Sequence, residues 1–122
     1  MKPKVLIVED DFLLAASLAE FVQQDLKAEP VHVVSVKEAL QIVPDKIPPE
    51  EIAIAILDIE LVDGESFPIA RKLKEKNVPF VFVSGNNPES LPPDLRHVPF
   101  LPKPVDAWHL VRVAKTLSSA FS

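Results

Sequence analysis

Polar side chains that can hold a metal ion or stabilise a phosphoryl group follow four short apolar segments of this chain. They are Glu9, Asp10 and Asp11 after the first segment, Asp58 and Glu60 after the second, Ser84 and Gly85 after the third, and Lys103 after the fourth. Carboxylates that converge repel one another unless a cation lies among them, and all-oxygen ligands suit Mg²⁺. Zinc is disfavoured because the chain has no cysteine and we expect no histidine near these residues.

The same residues could transfer a phosphoryl group. A carboxylate held beside Mg²⁺ can act as a nucleophile toward phosphorus and form an aspartyl phosphate. The phosphoryl oxygens carry negative charge, which Mg²⁺, an ammonium group and a hydroxyl donor would stabilise. Lys103 and Ser84 supply the ammonium and the hydroxyl, and Gly85 leaves open space beside Ser84. Asp11 is more typical of the N-cap of the helix that follows it.

Alternating strands and helices must bring these residues together. Short apolar runs predict strands at about 4–8, 31–34, 52–57, 79–83 and 100–102. Amphipathic spacing and capping residues predict helices at about 12–26, 35–43 and 68–76, and a last helix capped by Asp106. The stretch from Asn86 to Pro99 is rich in proline and turn residues, so we expect the fourth helix to be shortened or irregular.

The alternation predicts an α/β fold, a doubly wound parallel sheet of flavodoxin-like (βα)5 topology with strand order 2-1-3-4-5. In such sheets ligands bind beyond the carboxyl ends of the strands. The candidate residues all follow strands, so we expect them to meet in one pocket. One domain over residues 1–122 accounts for the length of the chain.

The composition excludes several classes of protein. A net charge of −5 argues against non-specific nucleic-acid binding. The absence of cysteine removes disulfides, thiolate catalysis and iron–sulfur clusters. No apolar run reaches the ~18 residues of a membrane span, and the short run at 5–8 ends in acids, unlike a signal peptide. We therefore expect a cytoplasmic protein that binds neither nucleic acid nor membrane.

The order of four motifs resembles the receiver domain of bacterial two-component response regulators, the CheY-like family. The motifs are Val-Glu-Asp-Asp at 8–11, Leu-Asp-Ile-Glu-Leu at 57–61 with Asp-Gly at 63–64, Val-Ser-Gly at 83–85, and Leu-Pro-Lys-Pro at 101–104. Each motif is modest alone, but the four are specific together. The resemblance covers the chain from Lys4 to about Phe121.

The resemblance implies a role for each candidate residue. It implies a Mg²⁺ site at Glu9, Asp10, Asp58 and the backbone carbonyl of Glu60, a phosphoacceptor at Asp58, a phosphoryl-contacting lysine at Lys103, and a switch pair of Ser84 and Phe100. It also implies a cis peptide bond between Lys103 and Pro104. Glu60 and Asn86 flank the pocket, where the family implies an influence on the lifetime of the phosphoryl group.

The resemblance also implies partners. The donor would be a phosphohistidine on a sensor histidine kinase or a histidine phosphotransfer protein. The output of a stand-alone receiver, without an output domain, would be binding of an unknown downstream protein or shuttling of phosphate, as a monomer or weak homodimer. Phe12 and Leu13 are candidate partner contacts, with core packing as the alternative. Trp108 is a third candidate, and its alternative is to fold over the start of the last helix and cover the fifth strand.

Two features depart from the family pattern. The family often has tyrosine or phenylalanine at the position of Phe100, so the switch aromatic is present here but has no hydroxyl. The 19 positions from Ser84 to Lys103 are a few short of a typical receiver, which puts the usual dimerisation face on the fourth and fifth helices in doubt. Phe-Val-Ser-Gly at 82–85 is similar to the Phe-Ala-Thr-Gly motif of a subgroup of stand-alone receivers.

Three alternatives use the same residues or the same fold. A phosphohydrolase of the haloacid dehalogenase type also uses an aspartate nucleophile, Mg²⁺ and a lysine, but it requires a second aspartate where this chain has Glu60. A receiver-fold binding module that is never phosphorylated would not need the complete set of site residues. A flavodoxin-type cofactor binder would need glycines and hydroxyls in the acidic first turn. We therefore expect a signalling protein that catalyses only its own phosphorylation and dephosphorylation, not an enzyme.

Overall fold

The computed structural model describes residues 2–43 and 45–121. Its strands are β1 (Lys4–Val8), β2 (Glu29–Val33), β3 (Ile52–Asp58), β4 (Glu60–Leu61), β5 (Gly64–Glu65), β6 (Phe80–Ser84) and β7 (Phe100–Pro102). Its α-helices are α1 (Phe12–Asp25), α2 (Val36–Ile42), α3 (Phe67–Glu75) and α4 (Ala107–Leu117). Short 3₁₀ turns cover Pro49–Glu51, Pro88–Ser90, Pro93–Leu95 and Ser119–Phe121. Within the described residues, no helix has both the length and the apolar character to cross a membrane.

Five parallel strands form the central sheet in the order β2-β1-β3-β6-β7. The two-residue strands β4 and β5 lie outside this sheet as an antiparallel hairpin. The order is therefore the predicted 2-1-3-4-5, and the predicted α/β class is confirmed. The register pairs Asp58 with Val83 and Val83 with Leu101. The residues that follow β3, β6 and β7 thus emerge together at one edge of the sheet.

Apolar side chains form one cluster on each face of the sheet. Successive residues of a strand point to opposite faces, and helices cover both faces here. Leu57 and Phe82 pack with α2 and α3 on one face, whereas Ile56 and Val81 pack with α1 and α4 on the other. This double burial explains the continuous apolar run of β3 in the sequence. Packing on both faces also holds the sheet in place, and the candidate residues lie at the ends of its strands.

A capping side chain sets where α1 begins. The Asp11 carboxylate accepts hydrogen bonds from the backbone N–H groups of Leu13 and Leu14, at 3.0 and 3.3 Å. Asp11 is therefore the N-cap of α1, as predicted. Because Asp11 is engaged in capping, Glu9 and Asp10 are the acids of this loop that remain for other ligands.

The β4–β5 hairpin is a feature that the sequence analysis does not predict, although the Asp-Gly dipeptide at 63–64 is typical of turns. Its strands have two residues each, too few for a recognisable alternation. Gly64 has a φ of +138°, which favours glycine. The Asp63 carboxylate accepts the first two backbone N–H groups of α2, at 2.8 and 3.0 Å, and these bonds hold its pKa below the usual range. The hairpin thereby ties the segment after Asp58 to α2.

A proline-rich loop connects β6 to β7, where the sequence predicts a shortened or irregular helix. The loop contains two 3₁₀ turns and, in the part of the chain that the structure describes, no α-helix, so this prediction is confirmed. Leu91 and Leu95 are buried in the core and anchor the loop. Arg71 of α3 pairs with Asp94 in the loop, with Nε 3.1 Å from Oδ2. Burial of apolar side chains and one exposed ion pair thus hold this loop in place, where a receiver of typical length would have a helix.

Candidate functional site

Three carboxylates converge at the carboxyl edge of the sheet. Glu9 and Asp10 follow β1, and Asp58 is the last residue of β3. One oxygen atom of each lies within 4.8 Å of the other two. Glu9 and Asp58 are buried, and Asp10 is half-buried. Hard oxygen ligands at this separation fit a divalent cation such as Mg²⁺.

Lys103 bridges two of these carboxylates. Its Nζ atom lies 3.1 Å from Glu9 Oε1 and 3.1 Å from Asp58 Oδ2. The backbone N–H of Lys103 donates to the carbonyl of Ser84 at 3.0 Å, which continues the pairing of β7 with β6. The peptide bond from Lys103 to Pro104 is cis. Burial lowers the pKa of Lys103, but the hydrogen bonds that Lys103 donates to Glu9 and Asp58 outweigh it, and the pKa is raised. The lysine therefore stays a cation.

The pKa of Glu9 is raised. Burial raises its pKa, and the neighbouring Asp58 carboxylate adds to the rise. The backbone N–H of Asp11, 3.2 Å from Glu9 Oε2, and the Lys103 ammonium oppose the rise. The net result is a pKa of about 7. Without a metal, Glu9 exchanges a proton near neutral pH, and a divalent cation at this place would displace that proton.

Asp58 lies at the centre of the cluster. Its Oδ1 atom accepts a hydrogen bond from the backbone N–H of Ile59 at 2.8 Å, and Oδ2 accepts from Lys103. The Asp58 side chain keeps 10% of its surface exposed. A group in solution can therefore reach a carboxylate that the protein otherwise encloses.

Ser84 and its neighbours line the adjacent strand end. The buried Ser84 hydroxyl oxygen accepts the backbone N–H of Asn86 at 3.1 Å. A Cβ atom placed on Gly85 would meet no other atom within 4 Å, so the space beside Ser84 is open. The Asn86 Nδ2 atom donates to Glu60 Oε1 at 3.3 Å. This bond joins the segment that follows Asp58 to the segment that follows Ser84.

The remaining predicted residues lie around this cluster. Phe100 of β7 is half-buried and packs against the core. Phe12, Leu13 and Trp108 are 69%, 84% and 79% exposed, so the alternative that Phe12 and Leu13 are core residues is wrong. Trp108 lies beside Phe21 of α1 and lines a groove of about 280 Å³.

One histidine lies closer to the site than the sequence suggested. The Nε2 atom of His32 is 2.7 Å from the backbone carbonyl oxygen of Glu9. The expectation that no histidine is near the acidic residues is therefore wrong. His32 differs from the residues of the acidic cluster and from Ser84 and Lys103, each of which ends a strand or lies just after one. It lies within β2, opposite Ile7 of β1, and only the register of the two strands brings it there.

No protein-family profile matches the chain, and no curated protein sequence matches it. The solution structure of SdrG from Sphingomonas melonis Fr1 is 34% identical, with a TM-score of 0.78 over 95% of this chain and 96% of that one. The non-phosphorylated HemR receiver domain from Leptospira biflexa is 28% identical, with a TM-score of 0.76 over 95% of this chain and 94% of that one.

A third structure shares the fold. A CheY-like response regulator receiver domain from Methylobacillus flagellatus is 23% identical, with a TM-score of 0.79 over 97% of this chain and all of that one. Together with the acidic cluster, these matches define a class: the chain belongs to the receiver-domain family of two-component response regulators. Membership supports a response-regulator function, and it favours a signalling protein over a phosphohydrolase.

Proposed function

We propose that this chain is a phosphoacceptor receiver, with one domain over residues 1–122 that takes a phosphoryl group onto Asp58. The observation that carries the proposal is the environment of the Asp58 carboxylate. It lies 3.1 Å from the Lys103 ammonium and beside two further acids, and part of its surface is exposed. That combination suits a nucleophile toward a negatively charged phosphoryl group.

Mg²⁺ is the proposed cofactor. Glu9, Asp10 and Asp58 would hold it, with the backbone carbonyl of Glu60 as a further ligand. No described residue donates a hydrogen bond to the Asp10 carboxylate, which leaves that group available. When bound, the ion would neutralise the carboxylates and stabilise charge on the phosphoryl oxygens.

Asp58 would attack the phosphorus atom of a phosphohistidine. A bond forms between a carboxylate oxygen and phosphorus while the phosphorus–nitrogen bond breaks, and the imidazole nitrogen keeps the electron pair. Lys103 would turn from Asp58 Oδ2 toward a phosphoryl oxygen. The Ser84 oxygen accepts the Asn86 N–H, so the hydroxyl proton remains to be donated to the phosphoryl group. Later attack by water on phosphorus would release phosphate and restore the carboxylate.

Movement of Ser84 and Phe100 would transmit the phosphorylated state. Phosphorylation changes the balance between two conformations by making contacts that only one of them allows. SdrG has a BeF3-activated conformation, and BeF3 is a small anion that imitates a phosphoryl group. A similar response in this chain would begin at Ser84, and half-buried Phe100 on the next strand would follow. Glu60 and Asn86, joined beside the pocket, would influence how long the phosphoryl group survives.

Partner proteins would contact the surface beside the site. We assign the donor role to a sensor histidine kinase or a histidine phosphotransfer protein. Phe12 and Leu13 are exposed directly after the acidic loop, where a donor protein must approach Asp58. Trp108 is a further exposed contact on α4. The output would be binding of a downstream protein or shuttling of phosphate, by a monomer or weak homodimer.

The test is the intact mass of the protein after incubation with acetyl phosphate, with Mg²⁺ or with EDTA. We expect a Mg²⁺-dependent gain of one phosphoryl group, about 80 Da, in the wild type and none in Asp58→Asn. Asp45→Asn, which changes an exposed aspartate away from the strand ends, is the matched control and should be labelled normally. A folded wild type that gains no mass from acetyl phosphate or from a phosphohistidine protein would instead be a binding module that is not phosphorylated.

A further inference from the structure

His32 donates a hydrogen bond to the backbone of the acidic loop. Its Nε2 atom lies 2.7 Å from the Glu9 carbonyl oxygen. A carbonyl oxygen can only accept, so Nε2 must carry the proton in this contact. The short distance indicates a well-formed hydrogen bond between β2 and the loop that follows β1.

The fold directs the His32 side chain to this place. Val31 and Val33, on either side of it in β2, pack in the cluster that α2 and α3 cover. Because side chains alternate along a strand, His32 points to the opposite face, where α1 lies. There its ring forms a T-shaped contact with the ring of Phe12, with a centroid distance of 5.8 Å and an interplanar angle of 90°. Phe12 therefore limits the rotation of the imidazole.

Every polar atom of Glu9 has a partner. The Glu9 N–H donates to Val33 at 3.1 Å, and the two carboxylate oxygens accept from Lys103 and from the Asp11 N–H. The carbonyl oxygen accepts from His32. Each of these bonds fixes a different part of the residue, and the bond from His32 fixes the plane of the peptide between Glu9 and Asp10.

The orientation of that peptide decides where the Asp10 carboxylate points. The Asp10 carboxylate receives no hydrogen bond from any residue in 2–43 or 45–121, so its position depends on the backbone that carries it. We propose that His32 is a positioning residue for the metal-binding pair Glu9 and Asp10. The inference rests on the Mg²⁺ site of the proposed function. Residues that orient metal ligands in this way typically change metal affinity by about 10- to 100-fold when they are replaced.

Two substitutions of His32 separate this role from packing. His32→Leu removes the donor and keeps an apolar side chain against Phe12. His32→Gln keeps a donor, because the amide nitrogen of glutamine reaches about as far from the backbone as Nε2 of histidine. His109→Leu, on α4, is the control for the loss of a histidine elsewhere. Mn²⁺ is the probe, and its dissociation constant is measured by electron paramagnetic resonance, with thermal melting of each variant alongside.

We expect His32→Leu to weaken Mn²⁺ binding about tenfold, and His32→Gln and His109→Leu to stay close to the wild type. A role in packing alone predicts the reverse order, since leucine packs against Phe12 better than glutamine does. If His32→Leu bound Mn²⁺ as tightly as the wild type, the inference would be overturned. The same would follow if His32→Leu and His32→Gln weakened Mn²⁺ binding equally. Neither result would count against the metal site itself. A wild type that binds no Mn²⁺ would overturn the metal site and this inference with it.

Discussion

Two clusters of one lysine and two acids lie at opposite edges of the sheet. At the carboxyl edge, Lys103 lies 3.1 Å from Glu9 and 3.1 Å from Asp58. At the amino edge, Lys4 lies 3.0 Å from Glu51 and 3.6 Å from Glu29. The residue types and the distances are nearly the same, so neither can explain why only one edge has the features of a reactive site.

Burial of the acids is what differs. The side chains of Glu9 and Asp58 are 2% and 10% exposed, whereas those of Glu51 and Glu29 are 35% and 55% exposed. Water screens the exposed acids, and such pairs contribute little free energy. Buried acids lose that solvation, and this loss is the main cause of the raised pKa of Glu9. The carboxyl edge also has a third acid, Asp10, close by. The excess negative charge of the three acids favours the binding of a further cation.

Replacing Lys103 should have the largest effect. Lys103→Met keeps the apolar stem but leaves Glu9 and Asp58 without their cation. We expect the free energy of unfolding to fall by about 2 kcal/mol, less than for a fully buried pair because the lysine side chain is 28% exposed. Labelling of Asp58 by acetyl phosphate should slow about 100-fold. Urea denaturation and a time course of intact mass measure the two effects, and an unchanged labelling rate would remove Lys103 from the proposed chemistry.

Asp10→Asn should have two effects of opposite direction. The substitution removes one of three acids that lie within 4.8 Å of one another. The metal-free protein should therefore become more stable by about 1 kcal/mol, while Mn²⁺ affinity falls by at least about tenfold. Calorimetry in EDTA and a Mn²⁺ titration measure these changes.

The matched variant at the amino edge is Glu51→Gln. It removes a partner of Lys4 rather than a repelling neighbour, so it should not stabilise the protein. If Asp10→Asn melted below the wild type in EDTA, repulsion would not dominate the carboxyl edge, and the comparison of the two clusters would fail.

The sequence could predict one of these clusters and not the other. Glu9, Asp58 and Lys103 each follow a strand of a predicted parallel sheet, and the carboxyl ends of such strands meet at one edge. The contact of Lys4 with Glu51 depends on a shift of register between β1 and β3 next to Lys4. No pattern of residue types marks that shift, so only the three-dimensional structure reveals the amino-edge cluster.

The other features that the sequence did not predict also depend on contacts between segments that are distant in the sequence. His32 reaches Glu9 because β2 pairs with β1 in one particular register. The β4–β5 hairpin has strands too short to alternate, and Asp63 caps α2 from a turn 27 positions away from Val36. Local patterns predicted the elements and the strand ends, whereas contacts between distant segments required the structure.

The pH dependence of stability should reflect the raised pKa of the buried acid Glu9. Glu9 has a pKa of about 7 in the folded chain against an ordinary value of 4.5, so between these values the folded state binds more protons than the unfolded state. The stability of the metal-free protein should therefore fall as pH rises from about 4.5 to about 7. Asp63 has a lowered pKa and acts in the opposite direction, with stability lost as pH falls below its ordinary 3.8. The two effects occupy different pH ranges.

Urea denaturation in EDTA at several pH values from 5 to 8 measures this slope. Glu9→Gln should flatten it, because an amide takes up no proton. Added Mg²⁺ should raise the stability most at the upper end of the range, where the Glu9 carboxylate is ionised. A stability that rises through this range in the wild type would contradict the raised pKa of Glu9.

The smallest effect is expected at the amino edge. Lys4→Met removes the cation from exposed Glu29 and half-buried Glu51, and hydrogen bonding to Glu51 is the main cause of the raised pKa of Lys4. We expect the denaturation midpoint to move by a small fraction of the change seen for Lys103→Met. Salt sharpens the test, since the screening length falls to about 3 Å at 1 M. The difference between Lys4→Met and wild type should vanish in high salt, while most of the difference for Lys103→Met should persist, because salt screens the buried acids Glu9 and Asp58 much less. Equal losses in the two variants would mean that the distance from lysine to acid, rather than burial, sets the strength of these clusters.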